Sequence, residues 1–202
     1  KPVGSCEYSD IAVFSFHPVK IVTSGEGGAA LTNSAELDQK LKLLRSHGIT
    51  RDLTQMQHPK NEAWYYEQID LGFNYRMTEI HAALGVSQLA RLHEYVERRH
   101  VLAAIYDQEL NATKLQTPYR NSINKSALHL YVIQVKASQH NRIFHKLRDS
   151  NIGVNLHYIP VHTQPFYKAI GFKEGDFPEA EKYYSEAISL PMYPDLSEED
   201  QI

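Results

Sequence analysis

The chain has 202 residues, which is long enough for one large domain or two small ones with a buried core. Hydrophobic residues make up 42% and charged residues 22%, and no apolar run approaches the roughly 20 residues that a membrane-spanning helix needs. A formal net charge of -3 argues against nucleic acid as a partner. Cys6 is the single cysteine, which is typical of a reducing compartment, so we expect a cytoplasmic protein that binds neither membrane nor nucleic acid.

The first part of the sequence predicts two short strands and a helix. The strands are "IAVFSF" (11–16) and "GAALTN" (28–33), and glycines lead into the second. Ser34 precedes Glu36 as in a helix-capping sequence, and leucines then recur with helical spacing until "SHG". An amphipathic helix is therefore predicted directly after the second strand.

Residues 48–76 show no sustained periodicity and are rich in polar and aromatic side chains. A segment of this length without regular structure is usually functional or disordered, and its aromatic residues favour a function. Thr78 is placed to cap a helix over "EIHAALGVSQLARL", and a second helix follows with Tyr106 and Leu110 on its apolar face. We place a domain boundary near residue 92.

The remaining sequence predicts a small α+β domain. The predicted elements are a strand "ALHLYVIQV" (127–135), a helix "SQHNRIFHKLRDSN" (138–151), a strand "GVNLHYI" (153–159) and a short helix around "EAEKYYSEAI" (179–188). The sequence opens without an initiator methionine and ends with "SEEDQI", which reads as the first turn of a helix. We expect both ends to be cut from a longer sequence.

The stretch "SFHPVK" (15–20) places a lysine in a turn at the end of the first strand. A lysine attacks a carbonyl only as the neutral amine, which requires desolvation or a neighbouring positive charge. Ser15 and His17 offer a hydroxyl and an imidazole to a phosphate nearby. Taken alone, the stretch favours a solvated surface lysine, because most lysines are exposed.

Read together, several motifs resemble the DegT/DnrJ/EryC1 family of nucleotide-sugar aminotransferases. In chain order they are "SFHPVK", "GEGG", "LLRSHGITRD", "GFNYRMTEIHAALG", "HYIPVHTQPFY" and "AEKYYSEAISLPMYPDLSEED". The resemblance implies an α/β structure, the type I fold of pyridoxal 5'-phosphate (PLP) enzymes. Residues 1–92 would be the C-terminal part of the large PLP-binding domain, whose sheet is mostly parallel, and residues 93–202 the small α+β C-terminal domain.

The resemblance also assigns roles at the cofactor. Lys20 would carry PLP as a covalent Schiff base and then transfer protons, while Ser15 would bind the cofactor phosphate and His17 would shape the site. Asn74 would reach the cofactor phosphate of the neighbouring subunit, which implies a homodimer with shared active sites. In the family, the groups that hold the pyridine ring and its nitrogen lie upstream of the matching segment.

For the substrate, "HYIPVHTQPFY" resembles the segment that closes over the sugar nucleotide. His157, Tyr158 and His162 are the candidates there, together with Tyr75 in the motif of Asn74. Aromatic faces and planar hydrogen-bonding groups suit sugars. Two nearby histidines also suggest a metal, but a proline lies between them and no cysteine or carboxylate joins them, so we predict no metal site.

The resemblance implies transfer of an amino group from L-glutamate to C4 of a UDP-linked 4-keto-6-deoxy-N-acetylhexose, in the branch of the family that serves pseudaminic acid and surface glycans. Three alternatives stay open. One is a family aminotransferase for a different keto sugar. The second is the sibling branch that uses pyridoxamine phosphate for sugar 3-dehydration, although it carries histidine where this sequence has Lys20. The third is a non-catalytic sensory or binding relative, against which Ser15, Lys20 and Asn74 together argue.

Overall fold

A computed structural model of the protein describes residues 1–201, and the chain divides into two compact units, Lys1–Leu92 and His93–Ile202. Every strand ladder within residues 1–201 is antiparallel and two-stranded. The parallel part of the sheet that the resemblance implies is therefore not formed by these residues. No helix within residues 1–201 combines the length and apolarity that crossing a membrane requires.

The first unit begins with a hairpin. Strand β1 (Ala12–Ser15) pairs with β2 (Gly28–Leu31), and Ser15 lies opposite Gly28 at the end of the ladder. Helix α1 (Ala35–Arg45) follows, and the Ser34 hydroxyl accepts a hydrogen bond from the N–H of Leu37 at its start. These elements confirm the predicted strands and the predicted cap, because a side chain that satisfies a free N–H fixes where a helix starts.

Residues 48–76 contain a short ladder where the sequence predicts only an irregular segment. Strand β3 (Ile49–Thr50) pairs with β4 (Glu67–Gln68). Strands of two residues have no periodicity, so the pattern of the sequence does not reveal them. Helix α2 (Glu79–Leu89) begins as predicted at Thr78, whose hydroxyl accepts the N–H of His81.

Gly48 stands where only glycine fits. Its φ is +69°, and a Cβ there would overlap the carbonyl oxygen of Asp70. We expect Gly48→Ala to destabilise the protein by about 3 kcal/mol, because it combines left-handed backbone strain with a clash against main chain. Denaturant midpoints measure the loss. Gly153→Ala is the control, since a Cβ at Gly153 meets nothing within 4 Å, and equal midpoints for the two variants would contradict the expectation.

The second unit packs helices against a third ladder. Its elements are α3 (Leu92–Leu110), β5 (Tyr131–Gln134), α4 (Ala137–Asp149), a 3-10 turn (Val161–Thr163), α5 (Pro165–Ala169), α6 (Pro178–Glu186), β6 (Ala187–Leu190) and α7 (Glu198–Gln201). Strands β5 and β6 pair antiparallel, with Ile133 opposite Ile188. Both side chains belong to a buried apolar cluster that α3 completes with Ala103 and Tyr106. The ladder therefore lies at the core of this unit.

One prediction in this unit is wrong, and another is confirmed except at its last two residues. Residues 153–159 do not form a strand, since only Asn155 makes an isolated antiparallel bridge, to Ser189. The predicted helix over 179–188 ends at Glu186, and Ala187 and Ile188 instead start β6. Those two residues are 1% and 0% exposed. The free energy gained by burying Ala187 and Ile188 in the core beside β5 therefore outweighs their propensity to continue the helix.

Candidate functional site

Lys20 lies in the loop of residues 16–27, between β1 and β2. The N–H of Phe16 donates to the carbonyl of Gly27 at 2.8 Å and closes the base of this loop, while the N–H of Lys20 donates to the carbonyl of His17 at 2.9 Å. The Lys20 residue is half-buried, and its amine makes no ion pair with any residue in 1–201. This amine is therefore available to a ligand.

Ser15 and His17 lie at the same end of the hairpin as Lys20. The Ser15 hydroxyl accepts a long hydrogen bond from the N–H of His17, at 3.4 Å. The His17 ring lies 4.0 Å from the carboxylate of Glu26, and its Nδ1 accepts the N–H of Val19 at 3.5 Å. Ser15, His17 and Lys20 thus lie within six residues at the end of β1, and their roles at a cofactor stay predictions.

The loop also contains two hydroxyl residues that the sequence reading missed. Ser24 is completely buried, at 0% exposure, and its Oγ donates to the carbonyl of Glu26 at 2.8 Å. Thr23 donates from its Oγ1 to the carbonyl of Phe16 at 3.1 Å. Their position between Lys20 and the glycines of "GEGG" was the available signal, but a serine or threonine in a loop is usually exposed.

Asn74 and Tyr75 lie on a segment attached to the end of α1. Asn74 forms an antiparallel bridge with Ser46, and the N–H of Tyr75 donates to the carbonyl of Arg45 at 3.0 Å. The Tyr75 ring is 72% exposed and stacks on Phe73, with centroids 4.9 Å apart. The backbone at Asn74 is therefore held in place while its side chain faces solvent.

His157 and Tyr158 present different groups from one segment. The Nδ1 of His157 lies 2.7 Å from the Oγ of Ser189, which is buried on β6. Desolvation lowers the pKa of the His157 imidazole, so burial favours its neutral form. Tyr158 is 70% exposed, and its ring meets that of His157 edge-on at 4.7 Å. The segment offers a neutral imidazole beside an accessible phenol.

His162 lies in a different environment from Tyr158. It is only 7% exposed, and its Nε2 lies 2.8 Å from the Oε1 of Glu181. The same carboxylate oxygen accepts the N–H of Gly175 at 2.7 Å, and the Phe177 ring packs against the imidazole at 4.8 Å. His162 thus links the 3-10 turn to helix α6 through Glu181. A contact between His162 and a sugar stays a prediction.

The hydrogen bond from His162, with that from Gly175, lowers the pKa of Glu181 from its ordinary value of 4.5. A lowered folded-state pKa stabilises the protein above pH 4.5, and this contribution is lost as the pH falls through the folded-state value. We expect Glu181→Gln to flatten the fall in thermal midpoint between about pH 5 and pH 3. Glu179→Gln on the same helix is the control, and identical pH profiles for wild type and Glu181→Gln would contradict the role.

No three His, Cys, Asp or Glu side chains within residues 1–201 are grouped as a metal site. The residues present do suit PLP. Its aldehyde requires an uncommitted amine, which Lys20 provides, and its phosphate requires hydroxyl donors, of which Ser15 stands at the same end of the hairpin. The hairpin therefore carries one group of the kind that each end of the cofactor requires.

The fold is shared with solved sugar aminotransferases. Helicobacter pylori PseC, an aminotransferase involved in the biosynthesis of pseudoaminic acid, matches with a TM-score of 0.85 and 31% identity, over 96% of this chain and 51% of that one. The putative sugar aminotransferase Spr1654 from Streptococcus pneumoniae, in its apo form, matches with a TM-score of 0.87 and 29% identity, over 100% and 50%. Spr1654 is also solved in a PLP form and a PMP form. The chain thus has part of the PLP-dependent aminotransferase fold, as the resemblance implies.

The sequence profile of the DegT/DnrJ/EryC1/StrS aminotransferase family matches residues 1–202, and the chain belongs to this family. A Methanocaldococcus jannaschii protein is 40% identical over 100% of this chain and 53% of its own length. The UDP-4-amino-4,6-dideoxy-N-acetyl-beta-L-altrosamine transaminase of Campylobacter jejuni is 35% identical over 99% and 51%. The chain spans about half the length of the curated relatives it matches.

Proposed function

We propose that this chain is the lysine-bearing part of a PLP-dependent transaminase that moves the amino group of L-glutamate to C4 of a UDP-linked 4-keto-6-deoxy-N-acetylhexose. The observation that carries the proposal is the Lys20 amine, which has no ion pair within residues 1–201, in a chain of an aminotransferase family. The choice of sugar follows the transaminase of Campylobacter jejuni and PseC of Helicobacter pylori.

Bound PLP supplies an electron sink that stabilises negative charge on the carbon losing its proton. Lys20 would hold the cofactor covalently through Nζ, and once the amino donor displaces it the same Nζ would carry a proton from the donor's α carbon to the cofactor. The Ser15 hydroxyl donates a hydrogen bond to the phosphate. Its place at the end of β1, opposite Gly28, keeps the hydroxyl on the same hairpin as the amine.

In this proposal, accessible polar and aromatic groups bind the sugar. Tyr158 offers an accessible hydroxyl, and His157 offers a neutral ring whose orientation Ser189 restrains. Tyr75 presents an exposed ring beside Asn74, which we assign to the cofactor phosphate of a second copy of the protein. The working enzyme in this proposal is a homodimer whose two active sites are shared.

The test begins with PLP and the full-length protein. A visible absorption band should appear, L-glutamate should remove it, and a UDP-linked 4-keto sugar should restore it. Comparison of UDP-keto sugars that differ at C2 and C5 then identifies the substrate. Absence of the band under every condition would contradict the PLP proposal, whereas a band restored only by another keto sugar would contradict the assigned substrate.

Tyr158→Phe should separate the two half-reactions. Loss of a hydroxyl that binds the sugar removes a hydrogen bond, so we expect the sugar half-reaction to slow about fivefold while the glutamate half-reaction is unchanged. Single-turnover absorbance measures both. Tyr119→Phe is the control, since Tyr119 is 89% exposed in the same unit and has no proposed role. Equal slowing of the two half-reactions by Tyr158→Phe would count against a contact with the sugar.

A further inference from the structure

We propose that the hydroxyls of Thr23 and Ser24 position Lys20, an inference that rests on the proposed role of this lysine. Both residues lie in the loop of residues 16–27, and both follow Lys20 in the sequence. Their hydrogen bonds go to the backbone of the loop, and we assign them no contact with cofactor or substrate, so they are positioning residues. Their contribution is to hold the backbone from which the lysine extends.

The backbone of Ser24 joins the two arms of the loop, and its hydroxyl closes a turn within the second arm. Its N–H donates to the carbonyl of Phe16 at 3.0 Å, and its Oγ donates to the carbonyl of Glu26 at 2.8 Å. The residue is 0% exposed. Burial of a hydroxyl is unfavourable unless the hydroxyl is hydrogen-bonded, so removal of the Oγ would leave a backbone acceptor without its partner.

Thr23 adds a second cross-link at the same place. Its Oγ1 donates to the carbonyl of Phe16 at 3.1 Å and accepts the N–H of Gly25 at 3.0 Å. The Phe16 carbonyl thus receives two hydrogen bonds from the arm that follows Lys20. These bonds close the loop around the lysine, whose own backbone has one local bond, to His17.

Helix α2 packs close to Ser24 from outside the loop, and Met77 packs close to Gly27. A Cβ at Gly27, whose φ is +148°, would overlap the Met77 methyl group and would lie 2.6 Å from the Ser24 Oγ. A Cβ at Gly85 would lie 3.5 Å from the Ser24 Cβ. Close packing on this side leaves the loop little freedom to shift. Packing and the two hydroxyls together hold the loop in one position.

Placement of the backbone matters because a lysine has a flexible stem. A group that forms a covalent bond and then transfers protons must be held within about 0.5 Å of its working position. For Lys20 the backbone of the loop is the fixed point from which the stem extends. Loss of either hydroxyl should therefore change the behaviour of the amine without altering any group that touches a ligand.

The experiment uses the full-length protein without cofactor and compares Thr23→Val, Ser24→Ala and Thr23→Ser. Backbone amide exchange over residues 16–27 should be about fivefold to tenfold faster in the first two, which is the loss expected from one hydrogen bond. Their pH profiles for acetylation of the Lys20 amine should also shift from the wild-type profile. Thr23→Ser keeps the hydroxyl and should match the wild type in both measurements.

Ser34→Ala is the matched control, because it removes the cap of α1 in the same unit and touches nothing in the loop. If Thr23→Val and Ser24→Ala speed amide exchange but leave the Lys20 acetylation profile unchanged, the hydroxyls are merely structural and the proposal is overturned. Amide exchange that stays at the wild-type rate in Thr23→Val and Ser24→Ala also overturns the proposal. If Ser24→Ala does not fold, the comparison of Thr23→Val with Thr23→Ser in both measurements tests the proposal. Neither readout requires PLP, so failure to bind the cofactor would contradict the proposed function separately.

Discussion

Lys20→Arg should abolish transamination, with a loss of at least about a thousandfold in turnover. Arginine keeps the positive charge, but its guanidinium stays protonated and cannot provide the neutral amine that bonds to a carbonyl or accepts a proton. Both half-reactions should fail together, because Lys20 serves each of them. Single-turnover absorbance with L-glutamate and with the keto sugar measures the two losses.

Lys40→Arg is the matched control, because Lys40 is exposed on α1 of the same unit. Reduction with borohydride adds an independent readout: PLP should become fixed to the peptide that contains Lys20 in the wild type and in Lys40→Arg, and not in Lys20→Arg. Turnover close to wild type in Lys20→Arg would remove Lys20 from the chemistry, whatever the fold of the chain.

Mixing two impaired variants should restore activity if the active sites are shared. A Lys20→Ala protein should be inactive alone, and an Asn74→Ala protein should be nearly inactive when PLP is limiting, because it retains the cofactor poorly. In a mixed dimer, one site joins the intact Lys20 of one copy to the intact Asn74 of the other, and the second site has both defects. Equal amounts with free exchange make about half of the dimers mixed, so activity should approach about a quarter of the wild-type value.

The expected effect of Asn74→Ala has a defined physical cause. An amide donates one hydrogen bond to a phosphate oxygen, and a bond to a charged group contributes about 1.5 to 3 kcal/mol. Asn74→Ala should keep the local backbone, because that segment is held through main-chain bonds to the end of α1. The loss should therefore appear as weaker retention of the cofactor rather than as unfolding.

A mixture of Lys20→Ala with Ser15→Ala is the control for this experiment. Ser15 and Lys20 lie on one hairpin of the same copy, so no mixed dimer can join an intact Ser15 to an intact Lys20. We expect no gain over the activity of Ser15→Ala alone. Absence of recovery in the Asn74 mixture, with subunit exchange demonstrated by mass, would mean that Asn74 serves its own subunit.

Features that depend on neighbouring residues are readable from the amino-acid sequence. The starts of α1 and α2 follow from Ser34 and Thr78, whose hydroxyls satisfy free N–H groups within three residues of each helix start. The motif "SFHPVK" likewise placed the amine of Lys20 in a turn at the end of β1. Membership of the aminotransferase family, too, was readable from motifs in their order along the chain.

Features that depend on residues distant in sequence become visible in the folded chain. The partner of β5 is β6 rather than residues 153–159, because Ala187 and Ile188 complete the buried face of the ladder. His162 is buried and hydrogen-bonded to Glu181, and Ser24 is buried where Gly85 of α2 approaches it. Strand pairing, burial and side-chain hydrogen bonds of this kind arise from the surroundings of a residue in space, and local pattern and propensity carry little information about those surroundings.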